Sequence, residues 1–182
     1  MEDIIDLKII NQLKSVYRAS SVKNRKESSA EHTWSCLILA DFFLEKTKKD
    51  IDKVKVYELL MYHDLVEIIS GDYPLNENRE GKKEKEKAAS YKLKKLLPEP
   101  INNKFFKLFN EFEELQTIES KFAKAIDSID AMIHELDYKK DWKGWTEDFL
   151  RSKKEKYFKE FPEIDKYFKY LLKHLKKEGY II

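Results

Sequence analysis

Among 182 residues there are four glycines and four prolines, and this scarcity restricts the fold more than any other feature. Glycine supplies the positive φ of tight turns, and proline interrupts backbone hydrogen-bond ladders. A chain with so few of either has little room for successive hairpins and is left with long helices. The apolar periodicity agrees. Ile4, Ile5, Ile9, Ile10, Leu13 and Val16 follow helical spacing, and Trp34, Leu37, Ile38 and Phe42 mark a second helix reaching about Lys46. Residues 18–29 lose the period and read as a polar loop, in which Ser28 or Ser29 can cap the helix that follows. Val54, Leu59 and Leu60 lead a third helix through His63 to Ile69, stopped by Gly71 and Pro74.

A charge-laced, largely solvated helix is expected within 77–97 and an amphipathic one over 101–115. Phe122, Ile126, Ile129, Ile133 and Leu136 form the clearest core stripe, and two helices over 147–161 and 163–177 close the chain. The expected fold is all-α, a single-domain helical bundle over 1–182 with its motif-bearing core in 15–140 and C-terminal helices in 147–177. The length suffices to bury a core without staples.

Charge and cysteine content narrow the functions. The 36 basic residues are balanced by 34 acidic ones, so no broad field attracts nucleic acid and no stable nucleic-acid partner is expected. The Lys/Glu run over 82–95 interleaves its acids and makes a poor phosphate track. No apolar run of about 18 residues is present and no N-terminal stretch resembles a signal peptide, so no membrane association is expected. One cysteine, Cys36, cannot form an intramolecular disulfide; a reducing, cytoplasmic setting fits, with Cys36 as a small buried hydrophobe.

The chemistry concentrates in a few places. His63-Asp64 is weak as a dipeptide, but Glu67 follows at helical spacing and Gly71-Asp72 one turn later. Glu31-His32 lies in another apolar helix. Ionisable groups embedded in core-forming helices need partners, and a divalent cation is one that would satisfy several. Two imidazoles and two carboxylates suit Mn²⁺, Co²⁺, Mg²⁺, Fe²⁺ or Zn²⁺ better than a structural zinc cage. The second carboxylate is not fixed by pattern. Asp127, Asp130 and His134 share neighbouring faces of one helix, and the core stripe slightly favours Asp130 as the more buried acid.

Taken in order, Glu31-His32, His63-Asp64-Leu-Val-Glu67, Gly71-Asp72 and Ile126-Asp127 resemble the H…HD…D signature of HD-domain metal-dependent phosphohydrolases. The Arg-x-Glu-Ser-x-x-Glu-His lead-in from Arg25 to His32 makes the chain most similar to the branch of bacterial deoxynucleoside 5′-monophosphatases and their eukaryotic relatives. The resemblance covers roughly residues 15–140. It implies His32, His63, Asp64 and Asp127 as ligands of one metal ion, with Asp127 chosen over Asp130 because the segment aligns without gaps. It implies Glu67 and Asp72 as catalytic groups near the attacking water and substrate, and Arg18 and Arg25 as phosphate-binding residues. The family's Arg-Trp pair is represented here by Tyr17-Arg18, offset by about one residue. The implied activity is hydrolysis of (deoxy)nucleoside 5′-monophosphates by a homodimer.

Two other functions compete with this one. A non-catalytic metal- and nucleotide-binding HD module is the alternative that the altered arginine loop suggests. A two-iron oxygenase would need further histidines between His63 and Asp127, and there are none. His134 reads as a structural helix residue, His174 as solvated, and Trp34, Trp142 and Trp145 as core.

Overall fold

The computed structural model describes residues 2–75 and 80–182; positions 77–79 of the expected charged helix lie outside them. The chain starts with α1 (Glu2–Asp6), which tightens into a 3₁₀ stretch over Leu7–Ser15. Leu13 is the buried residue of that stretch, while Ile4, Ile5 and Ile10 are exposed.

The segment expected to be a polar loop is a hairpin. Strand β1 (Tyr17–Val22) pairs antiparallel with β2 (Arg25–Ser28), with Ser21 opposite Lys26 and Val22 opposite Arg25. Its reverse turn contains no glycine; Lys23 takes φ +51° instead. Polar anchors, rather than alternating apolar residues, hold it. Ser20 Oγ donates to Glu135 (2.7 Å), the Ser21 N–H to Asp141 (2.8 Å) and the Lys23 N–H to the Tyr138 hydroxyl (3.1 Å). These long-range bonds carry no local periodic signal, which is why a hairpin is not legible there.

Ser28 caps α2 (Ser29–Leu44) in a reciprocal box: its Oγ accepts the Glu31 N–H, and Glu31 accepts the Ser28 N–H. Helix α3 (Lys53–Tyr62) stops earlier than its apolar pattern suggests. The His63 ring Nδ1 lies 2.7 Å from Leu60 O, the carbonyl that would accept the Asp64 N–H in an unbroken helix. The backbone tightens to three-residue bonds (Leu65 N to Tyr62 O, Glu67 N to Asp64 O) before α4 (Glu67–Ser70), which ends at Gly71 with φ +73°.

Helices α5 (Lys82–Leu96), α6 (Ile101–Glu114) and α7 (Ile118–His134) follow. Then come α8 (Glu147–Leu150), a π-helical turn over Arg151–Glu155, α9 (Lys156–Phe158) and α10 (Pro162–Lys177).

Helix α7 is the axis. Its Phe122, Ile126 and Ile129 are fully buried against α2, α3 and α10. Each such burial contributes roughly 1.5–3 kcal/mol, so α7 is pinned along the length that carries Asp127 and Asp130. A smaller cluster joins Leu13, Leu65 and Val66 to Leu93, Phe105 and Phe109 of α5 and α6. Trp142 is core, but Trp34 is 66 % exposed and heads an outward stripe with Ile38 and Phe42 on α2, against the core reading of that tryptophan. No helix of the described residues is long and apolar enough to cross a membrane.

Candidate metal centre and active-site cavity

Three elements converge on one point: the first turns of α2 bring His32, the break after α3 brings His63 and Asp64, and the middle of α7 brings Asp127 and Asp130. His32 is wholly buried, with its two ring nitrogens turned to different acids. Nδ1 lies 2.8 Å from Asp130 Oδ2, and Nε2 lies 3.1 Å from Asp127 Oδ1 and 3.9 Å from Asp64 Oδ2. Ser35 Oγ also donates to Asp130 Oδ2 (2.9 Å). The two α7 acids, inseparable by periodicity, therefore do different things. Asp130 braces the back of the His32 ring, and Asp127 shares its front with Asp64.

His63 is arranged in the same way. Its Nδ1–H donates to Leu60 O, which leaves Nε2 with its lone pair. That buried Nε2 has no hydrogen-bond partner, yet Asp64 Oδ1 lies 3.2 Å away. A lone pair facing a carboxylate oxygen at that distance is repulsive unless a proton on the nitrogen or a metal ion near both offsets it. This orphaned atom, beside two carboxylates and the front of a second imidazole, fits a divalent metal ion held by N and O donors. Cys36, one turn after His32, is fully buried; its Sγ is 3.5 Å from His32 Nε2. His32, Cys36 and His63 present donor atoms within 4.8 Å of one another. Burial pushes the Cys36 thiol up to about 12, so it stays protonated in the cation-free protein.

The electrostatics agree with a cation site. Burial opposes ionisation of Asp64, but His63, His32 and Arg18 outweigh it and hold that carboxyl well below the usual range. Burial likewise opposes the Asp127 charge, and Lys124, at 2.8 Å, leads the groups that hold it low. Glu67 moves in the other direction. Burial first, then the charges of Asp64 and Asp72, push its carboxyl well above the usual value, while Ser29 Oγ donates to it at 2.6 Å.

These groups open into a cavity of about 430 Å³, within the usual size of small-molecule sites. Asp64, Glu67, Asp72 and Asp127 line its floor, and Arg18, Lys124 and Lys154 face it from the walls. Arg18 reaches in from β1, with Glu27 at 3.2 Å, Asp64 at 3.5 Å and Asp72 at 3.9 Å. Arg25 is not brought there. It is half exposed on the outer side of the hairpin and forks onto Glu31.

His134, read as structural, bonds to Ser21 O and lies 3.6 Å from Glu27. Trp145 lines the cavity instead of being wholly core. Sequence reasoning passed over Glu27, buried between Arg18 and His134, and also Lys124 and Lys154. Glu27 was visible in the Arg-x-Glu lead-in, and Lys124 stands one turn before Asp127; neither had an interpretable role without the fold.

The HD domain family matches residues 10–165. The chain belongs to the HD-domain family. Curated relatives in it include the Xenopus laevis 5′-deoxynucleotidase HDDC2, 32 % identical over 87 % of this chain and 80 % of that protein. The Bos taurus 5′-deoxynucleotidase HDDC2 is 29 % identical over 87 % of this chain and 78 % of its own. The crystal structure of a "predicted metal-dependent phosphohydrolase" from Magnetospirillum magnetotacticum superposes with a TM-score of 0.84 at 26 % identity, covering 98 % of this chain and 93 % of that one. As an HD-domain protein the chain is similar in sequence well beyond residue 140, into the π-helical turn and the start of α10.

Proposed function

We propose that this chain, a metal-dependent phosphohydrolase of the HD-domain family, hydrolyses nucleoside 5′-monophosphates, 2′-deoxy forms among them, to nucleoside and inorganic phosphate. One observation carries the reading: His32 Nε2 and the orphaned His63 Nε2 lie against Asp127 and Asp64, two carboxylates that line a cavity which Arg18 enters. The 5′-deoxynucleotidase relatives support the substrate class.

In this reading His32, His63, Asp64 and Asp127 hold one divalent ion. When bound, that ion offsets charge on the phosphoryl oxygens and lowers the pKa of water. The chain supplies the rest. Asp130 and Leu60 O fix the two rings so that both Nε2 atoms point inward. Glu67 takes the proton of the attacking water; Ser29 occupies its Oε2, leaving Oε1 for that proton. Arg18 turns from its carboxylate partners to the substrate's phosphate, for which a planar guanidinium is suited. Asp72, 3.9 Å from Arg18, orients that group. The native ion is one of Mn²⁺, Co²⁺, Mg²⁺, Fe²⁺ and Zn²⁺.

The test is phosphate release from ribo- and deoxyribonucleoside 5′-monophosphates with each metal or with EDTA. The expected result is EDTA-sensitive turnover. Metal binding without turnover across the whole panel would overturn the substrate assignment. We place the protein in the cytoplasm, to be checked by fractionation. We also propose a homodimer; the exposed apolar stripe of Trp34, Ile38 and Phe42 on α2 supports it. Sedimentation of wild type against Ile38→Glu decides that point.

A further inference from the structure

The π-helical turn over Arg151–Glu155 carries a lysine where the fold calls for an apolar side chain. Leu150, Lys154, Phe158 and Phe161 are spaced four, four and three apart, and all four are buried. The three apolar members belong to the main core, but Lys154 lines the active-site cavity. Its ammonium donates to the backbone carbonyl of Ser128, the residue after Asp127, at 2.8 Å. An ammonium has three donors and no acceptor. Among the described residues no carboxylate lies within ion-pair distance of this one, and Ser128 O is the acceptor found for it. A buried charge with one hydrogen bond is costly. Burial pushes its pKa down to about 8, partly countered by Asp127 and Glu135, so the group still carries charge near neutrality.

Of the other cations that line the cavity, Lys124 sits on Asp127 at 2.8 Å, Lys82 on Glu86 at 3.0 Å, and Arg18 lies among Glu27, Asp64 and Asp72, while Lys153 and Lys156 are exposed to solvent. Lys154 is therefore the buried cation whose free donors have no anion of the protein to meet. π-Helical turns of one residue's excess often mark functional positions, and this one brings a charge into the wall beside Asp127.

The geometry points to Lys154 as a substrate-binding residue that donates to a phosphate oxygen from the cavity wall beside Ser128. This rests on the phosphomonoester reading above, and it assigns the C-terminal segment a part in the site that the H…HD…D residues do not supply.

The experiment compares wild type, Lys154→Met and Lys154→Gln, each loaded with Mn²⁺, by calorimetric binding of inorganic phosphate and by thermal unfolding. Phosphate binding needs no turnover, so a failure of the nucleotide reading leaves it interpretable. Both variants should bind phosphate about ten- to a hundredfold more weakly, the size of one lost charge-assisted bond. They should bind the free nucleoside as wild type does and raise KM for a 5′-monophosphate more than they lower kcat. The Met variant should unfold no earlier than wild type, because it removes a buried charge; a lysine kept for structure would show the reverse. The Gln variant keeps a donor for Ser128 O and carries the test if the Met variant misfolds. Wild-type phosphate affinity in a folded Gln variant would overturn the assignment.

Discussion

The floor and the wall of this cavity are built by different rules. The floor carboxylates Asp64 and Asp127 and the histidines behind them, His32 and His63, come from α2, α7 and the turn after α3, elements locked in the apolar core, and each imidazole is braced from behind by a bond at 2.7–2.8 Å. The wall is a hairpin held by Ser20, Ser21 and Lys23 to polar partners near the end of α7, together with a π-helical turn. A rigid floor suits a group that must meet a metal ion within tenths of an ångström. A wall of long cationic side chains suits a ligand that enters and leaves. The difference predicts that floor substitutions abolish chemistry, while wall substitutions change affinity and specificity.

The largest effect is expected at the floor. Asp64→Ala should reduce turnover to the level of EDTA-treated wild type, because it removes a donor and leaves His63 Nε2 without its neighbour; metal-dependent activity in this variant would break the distinction at its root. Glu67→Gln should lower kcat by about 10²–10⁴-fold with KM little changed, read from steady-state kinetics with the metal saturating. On the wall, Arg18→Ala should lower kcat/KM by about 10²-fold, with Arg18→Lys recovering only part, since a point charge does not replace a bidentate fork. Asp130→Asn sharpens the contrast from behind the floor. It keeps the shape but weakens the brace on His32 Nδ1, and chelator competition should show about 10–100-fold weaker metal binding.

How far these regions could be read in advance follows from the same difference. Helices α2, α3 and α7 announce themselves through residues such as Leu59, Ile126 and Ile129, whose burial imposes a period on the chain. The ordered His32, His63-Asp64 and Asp127 were legible because they interrupt that period with chemistry. The end of α3 was not, since a side-chain bond from His63 to Leu60 O replaces a backbone bond without altering the apolar pattern. The hairpin was hidden for a related reason. Its partners Glu135, Tyr138 and Asp141 lie more than 100 residues away, and no local spacing encodes a long-range polar anchor. Periodicity left Asp127 and Asp130 degenerate; the family resemblance chose Asp127, and the two nitrogens of the His32 ring give the two acids different partners.

The smallest expected effect tests the hairpin itself. Arg18 and Arg25 sit on its two strands, and both matched a phosphate-binding pattern, yet one faces the cavity and the other forks onto Glu31 at the start of α2. Arg25→Ala should therefore leave kcat and KM within about twofold of wild type, the behaviour of a surface substitution away from a site. Its signature should be in acid stability. The bonds from Arg25 and the Ser28 N–H hold the Glu31 carboxyl at about 2, below its ordinary 4.5. A carboxyl lowered by folding contributes stability that is complete above its unfolded pKa and disappears as the pH falls through the folded value. For Glu31 that window runs from about pH 4.5 down to about 2. Without Arg25 the folded pKa rises towards the ordinary value, the window narrows, and this part of the acid loss shrinks. Denaturant unfolding at pH 7 and pH 3 should thus show a variant slightly less stable than wild type at pH 7, with the gap closing at pH 3. The pair is exposed to solvent and salt, so the whole difference stays small. A large kinetic defect with no change in the pH response would instead place Arg25 with Arg18, on the cavity side of the hairpin.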